Sequence, residues 1–189
     1  MATDTKTILL NSAERAARKR GFDGFSYADL AADVGITKAS IHHHFASKAA
    51  LTIALMQRYY SDLESACDEI DQDHATGAAR LTALIKRYHG ALEGGQSLCL
   101  CVSFSTSTEN LSADTIAEMG RFRTMMTQWL ERVYSLGQAD ETILHVADPA
   151  AEAAATLPLL EGAQLAARVA QDPQRFEAAV QILSRRLLQ

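Results

Sequence analysis

The chain has 189 residues, of which 48% are hydrophobic and 22% charged, with three prolines and ten glycines. That balance excludes a disordered chain, and no apolar run reaches the ~18 residues of a membrane-spanning helix. The net charge of −5 argues against a nucleic-acid partner only if the charge is evenly spread.

It is not evenly spread. Residues 1–58 carry eight Lys/Arg against five Asp/Glu, whereas the remainder carries ten against eighteen. A basic head on an acidic body suits DNA binding at one end, because phosphate contacts need only local positive charge. The segment Met1–Lys6 lacks the basic-then-apolar profile of a secretory leader. Cys67, Cys99 and Cys101 are an odd count without metal-ligand spacing, so neither a disulfide scaffold nor a zinc site is expected. A reducing, cytoplasmic compartment is the expected location.

Long stretches without Gly or Pro, and no strict apolar alternation, predict an all-α fold. The first helix is predicted over residues 4–20, with Leu9, Ala13, Ala16 and Ala17 as its apolar stripe. Arg18, Lys19 and Arg20 sit against the negative end of its dipole, and Gly21 ends it. Three short capped segments follow. Ser26 caps a helix over 27–34, with Asp29 completing a capping box; Thr37 caps 38–45; Ser47 caps a helix from Lys48 to about Ile70. Each cap follows an apolar residue with a partner five positions on: Phe25 with Leu30, Ile36 with Ile41, Ala46 with Leu51. These are hydrophobic staples. Only Gly35-Ile36 separates the first two short helices, so they must cross steeply, as in a helix-turn-helix.

Residues 71–74 read as a loop. Further helices are expected over 77–92, 98–107 and 113–136, broken by Gly94-Gly95 and residues 109–112, with Gly137 following the last. Asp148-Pro149 and Asp172-Pro173 mark the starts of two final helices, each a cap followed by proline. The expected division is a DNA-binding domain over 1–50 and a ligand-binding and dimerisation domain over 51–189.

In the second short helix Ile41 and Phe45 point inward, leaving Lys38, Ser40, His42 and His43 to face a major groove. Ala39 is small enough for close approach or contact with a thymine methyl. Thr37 can reach a phosphate from its cap, and Lys48 with the free N–H groups beside it can hold another. Consecutive helical residues stand about 100° apart, so His42, His43 and His44 cannot converge on one metal ion.

Residues 27–51, from Tyr27-Ala28-Asp29-Leu30 through Gly35-Ile36-Thr37-Lys38 to His44-Phe45-Ala46-Ser47-Lys48 and Leu51, resemble the DNA-binding signature of TetR/AcrR-type transcriptional regulators. The resemblance runs without gaps over about residues 5–60. It implies a dimeric, ligand-responsive regulator of nine helices, usually a repressor that a small molecule releases from a palindromic operator. It also implies DNA contacts from Ser26, Tyr27, Thr37, Lys38, Ala39, Ser40, His42, His43, His44 and Lys48. The family commonly carries an aromatic residue, often tyrosine, where this chain has His42, and frequently another at His43. Imidazole can also donate to a phosphate, so binding is expected to strengthen mildly as pH falls.

In the body, Met119, Phe122, Met126 and Trp129 recur at three-and-four spacing. With Tyr88, His89, Cys99, Cys101 and Phe104 they form the candidate lining of an apolar ligand pocket. Leu98–Val102 resembles the cysteine-bearing segment of a TetR subgroup that responds to electrophiles or oxidants, which makes Cys99 and Cys101 candidate sensor thiols. Phe176, Val180, Leu183 and Leu187 repeat at four, three and four. With Leu157, Leu160, Leu165 and Val169 they are the expected interface of a four-helix bundle between two copies. The expected partners are an operator in double-stranded DNA, a small-molecule inducer and a second copy of the chain, with no membrane, metal or other cofactor. No nucleophile elbow, phosphate loop or zinc pair of histidines points to an enzyme. The alternative is an architectural DNA binder without a ligand.

Overall fold

The computed structural model describes residues 4–188; Met1–Thr3, where the leader profile was sought, and Gln189 lie outside them. Among the described residues the chain forms nine α-helices: α1 (Thr5–Arg20), α2 (Tyr27–Val34), α3 (Lys38–His44), α4 (Lys48–Asp73), α5 (Gly77–Gly90), α6 (Leu100–Ser105), α7 (Ala113–Ala139), α8 (Pro149–Ala170) and α9 (Gln174–Ser184). A 3-10 turn spans Thr108–Asn110. No described helix is long and apolar enough to cross a membrane.

Two compact units result, one of residues 1–61 and 100–120, the other of 62–99 and 121–189. The first holds α1 to α3, the start of α4, α6 and the start of α7. Its core is built on Leu9, Ala13, Ala17, Leu30, Ile41, Phe45, Leu51 and Leu55, all buried. Phe22 meets Phe104 of α6 edge-on at 6.0 Å, and Asn110 donates to both carboxylate oxygens of Asp23 at 3.2 Å. Thr52 and Thr115 share a buried hydroxyl contact of 3.1 Å.

The second unit is built on α5, α8 and α9 with the remainders of α4 and α7. Trp129, Leu130, Val133 and Tyr134 of α7 are buried there beside Leu157 and Leu160 of α8 and Phe176 of α9. Tyr134 and Thr156 share a 2.6 Å hydroxyl contact, and the Trp129 indole donates to Asp71 at 3.2 Å.

Residues 71–74 differ from the expected loop: α4 continues to Asp73. Arg80 explains why, since it donates to the carbonyls of Asp71 and His74 at 3.0 and 2.9 Å and so satisfies acceptors that an open helix end leaves unpaired. Gly137 also differs. It lies inside α7, which continues to Ala139, because glycine there is a packing requirement. A Cβ on Gly77 would meet the backbone nitrogen of Gly137 at 2.3 Å, and a Cβ on Gly137 would meet Ile143 at 2.3 Å. Asp140 and Thr142 then accept from the N–H groups of Gly77 and Ala78 at 2.9 and 3.0 Å, tying the start of α5 to the end of α7.

The helix α8 begins as expected, with Asp148 accepting from the Ala150 N–H at 3.0 Å. The helix α9 begins one residue later than expected, at Gln174, with Pro173 at the cap position, although Asp172 still accepts from the Gln174 N–H at 2.9 Å. Pro158 sits inside α8 without ending it. After α9 the chain pairs with the α7–α8 loop through an isolated bridge between Ile143 and Leu187. Arg186 closes that junction with a bidentate 2.8 Å grip on Glu152.

Replacing Gly77 by Ala forces backbone against backbone and should lower stability by about 1–3 kcal/mol, the usual cost of overpacking. Gly120→Ala, where a Cβ meets nothing within 4 Å, should be neutral or stabilising by up to about 1 kcal/mol. Urea unfolding midpoints check both; equal midpoints would remove the close-approach argument.

Candidate nucleic-acid interface

A seven-residue helix cannot hold its shape alone in water, and α3 is held at both ends. At its start the Thr37 hydroxyl accepts from the Ser40 N–H at 3.1 Å and contacts the Ser40 hydroxyl at 2.9 Å. At its end the Phe45 N–H donates to the Ile41 carbonyl at 2.8 Å. The helix before it is capped reciprocally: Asp29 accepts from the Ser26 N–H at 2.7 Å, and the Ser26 hydroxyl accepts from the Asp29 N–H at 3.4 Å. The Ser26 hydroxyl, which also donates to the Asp29 carboxylate at 2.7 Å, and then the Ser26 N–H hold that carboxyl below its usual pKa. Gly35, in the left-handed region at φ 75°, turns the chain between the two helices.

Burial separates the faces of α3. Ile41 and Phe45 are buried with Leu30, whereas Lys38, Ala39, His42 and His43 are exposed. At about 100° per residue these four fall in one continuous arc. His44 is half-buried, 5.5 Å from the His43 ring. Ser26 and Thr37 are exposed at the starts of their helices, where free N–H groups and the dipole favour phosphate oxygens. Of the three expected staples, Phe25 and Leu30 are both buried; Ala46 stays exposed, so the third contributes little burial.

Three expected contact residues have polar groups engaged within the head. The Tyr27 hydroxyl donates to the Phe45 carbonyl at 2.9 Å, and burial pushes its pKa up to about 12. Its ring supports His42 edge-on at 4.9 Å, while His42 Nδ1 lies 3.2 Å from the Ala46 carbonyl. Lys48 was expected to hold a phosphate; instead its ammonium is half-buried and turned inward. It donates to the Phe22 and Phe25 carbonyls at 2.5 and 2.7 Å and stands 4.2 and 4.4 Å from the centres of their rings. Burial lowers its pKa, and Asp23 and Asp29 oppose that shift. The lysine thus fastens the first turn of α4 to the α1–α2 turn.

Two further ties were not foreseen. Asp33 of α2 accepts from Ser12 and Arg15 of α1 at 2.5 and 2.7 Å. Arg58 of α4 reaches Glu14 and Asn11 of α1 at 2.6 and 2.8 Å. Spacing along one chain gives no signal for such pairs, since each partner alone reads as an ordinary surface charge.

Residues 9–55, which run from α1 into α4 across this capped pair, match the family model for bacterial regulatory proteins of the tetR family. This segment is similar to the DNA-binding domain of the TetR family. On that likeness the chain is a DNA-binding transcriptional regulator rather than an enzyme. It is 25% identical over 184 residues to the HTH-type transcriptional repressor NemR of Escherichia coli K12, covering 94% of this chain and 90% of NemR. Over 55 residues, 29% of this chain and 26% of the relative, it is 40% identical to the HTH-type transcriptional regulator TtgR of Pseudomonas putida. A TetR-family regulator structure from Agrobacterium tumefaciens superposes with a TM-score of 0.91 at 26% identity, covering 97% of each chain.

The nine expected pocket residues divide between the two units. Phe104 and Met119 are buried in the first with Cys101; Tyr88, Cys99, Phe122, Met126 and Trp129 are buried in the second. The Cys99 N–H donates to Gln164 Oε1 at 2.8 Å, and Gln164 Nε2 donates on to the Tyr88 carbonyl at 3.1 Å. Cys99 and Cys101 are both buried, without the solvent access that reactive thiols use. His89 alone of the nine borders the open groove between α5 and α9.

The expected interface residues also divide. Leu157, Leu160, Phe176, Val180 and Leu183 are buried within the second unit, so their repeat marks the inner stripe of α8 and α9 rather than an outer face. Leu187 is half-buried. Leu165 and Val169 are exposed, Val169 at 87%, as are Ile182 and Leu188, which the repeat did not select.

If Lys48 only fastens the turn, Lys48→Met should destabilise the chain by about 1–3 kcal/mol and weaken DNA binding. The slope of log affinity against log salt concentration should stay unchanged. Loss of a phosphate contact would instead lower that slope by about one per protomer, and that result would restore the phosphate role.

Proposed function

We propose that this chain is a repressor that binds a palindromic operator as a homodimer and lets go when a small molecule binds its body. The observation that carries the DNA reading is the exposed arc of Lys38, Ala39, His42 and His43 on a helix capped at its start and fixed by a buried opposite face. Residues 1–50 are assigned to DNA and 51–189 to ligand and dimer. Lys38, His42 and His43 reach base edges or phosphates, Ala39 permits close approach, and Ser26 and Thr37 offer helix N-termini to the backbone. Tyr27, Ser40, His44 and Lys48 hold that surface in shape. The curated relative that matches over most of the chain bears the name of a transcriptional repressor, which favours repression.

The dimer reading rests on Leu165, Val169 and Ile182, large apolar side chains exposed on α8 and α9. Burying such a patch against its own copy removes it from water and gives a two-fold interface. Two recognition helices so related read half-sites about 34–36 Å apart, or somewhat more.

The test is a gel shift on DNA upstream of the chain's own gene, with excess competitor duplex. A retained shift that Lys38→Ala weakens several-fold, with the salt slope reduced by about one per protomer, supports the reading. Equal affinity for any duplex would favour an architectural protein and sink it. Val169→Asp with Ile182→Asp should convert a dimer to a monomer in sedimentation and abolish the shift; a dimer that survives both charges would move the interface elsewhere.

A further inference from the structure

A groove of about 740 Å³ runs between α5 and α9, wholly within the second unit. That volume lies within the range that holds small organic ligands, roughly 300–1,000 Å³. Its apolar floor includes Ile85, Phe176, Val180 and Leu187, and its polar wall includes Lys86 and His89. Lys86 and His89 stand three apart on α5, so both side chains project over the same stretch of floor.

These two polar groups are left without good partners. Lys86 is exposed and makes no ion pair among the described residues. The His89 Nε2 atom is buried and makes no hydrogen bond, although Glu177 Oε1 lies 3.2 Å away, within ion-pair distance. The His89 ring is tilted against Phe176 at 5.8 Å, which fixes its orientation. A buried ring nitrogen without a hydrogen bond is costly unless something supplies the partner. The Lys86 ammonium, three residues earlier on the same helix and lining the same groove, offsets the Glu177 carboxylate there and admits a second negative charge.

The geometry points to a binding site for a small apolar carboxylic acid, its ring or chain on the Phe176–Val180 floor and its carboxylate between His89 Nε2 and Lys86 Nζ. This rests on the ligand-responsive reading above and names the chemical class of the effector. The carboxylate accepts from both groups and takes up the contact that Glu177 meets incompletely.

The probe is 1-naphthaleneacetate, compared with its neutral amide of nearly the same shape, titrated into the full-length protein by calorimetry. The acid should bind and the amide should bind at least about tenfold more weakly, the loss expected for a charge-assisted hydrogen bond. Lys86→Met and His89→Phe should each weaken the acid by about tenfold and leave the amide nearly unchanged. Ser184→Trp, at an exposed wall position, should block both. No heat with the acid at millimolar concentration, equal binding of acid and amide, or wild-type affinity in both α5 variants would overturn the assignment. So would a fall from dimer to monomer in Ser184→Trp with acid binding unchanged, since the groove would then belong to a second copy. Calorimetry involves no DNA, so failure here leaves the operator shift standing, and failure of the shift leaves this result standing.

Discussion

The α2–α3 pair depends on giving partners to helix ends that would otherwise have none. Helices of eight and seven residues, α2 and α3, are below the length at which backbone propensity sustains a helix. Ser26 with Asp29 and Thr37 with Ser40 replace missing backbone partners at their starts. Leu30, Ile41 and Phe45 supply burial between them. A cap contributes about 1 kcal/mol and each fully buried large side chain about 1.5–3 kcal/mol. Packing therefore dominates stability, while the caps set where each helix begins and which side chains its outer face carries.

Around this pair the head is fastened by charge. Asp33 ties α2 to α1 through Ser12 and Arg15, Arg58 ties α4 to α1 through Glu14, and Lys48 ties α4 to the turn after α1. The partly exposed pairs are individually weak. Lys48 differs because its ammonium meets two carbonyls and two aromatic faces at once, in a half-buried site where such contacts are screened less. In sequence α3 thus lies between α2 and α4, both of which are fastened to α1 or the turn that follows it.

Much of the head was legible in sequence because its signals are local. Caps, staples and the Gly35 turn act over three to five residues, and the boundaries of α2 and the start of α3 follow from them. Long-range contacts were not legible. Lys48 read as a phosphate ligand because nothing near it in sequence announces that Phe22 and Phe25 turn their carbonyls toward it. Gly137 read as a helix end because the approach of Gly77 joins residues sixty positions apart. Phe176, Val180 and Leu183 read as an interface because periodicity identifies an apolar stripe without saying whether its cover is the same chain or another. His89 was among the expected lining residues but Lys86 escaped for a related reason: much of the groove's floor comes from α9, about ninety residues downstream.

The charge division gains meaning from these contacts. Three of the head's carboxylates are already engaged. Asp29 is held by Ser26, Asp33 by Ser12 and then Arg15, and Asp23 by Ser107 and then Asn110; all three have pKa values below the ordinary aspartate range. They stay ionised as pH falls toward 4, and whatever stability their bonds add is lost only as pH drops through those lowered values. Acceptors engaged in this way have less capacity to bind cations or to draw Lys38 away from a phosphate. Lys38 stays exposed while these acids are occupied by hydroxyl, amide and guanidinium groups. A chain with a net charge of −5 can therefore present a locally cationic face to a polyanion, because association responds to the field at the contact, within about a Debye length, more than to the sum over the molecule.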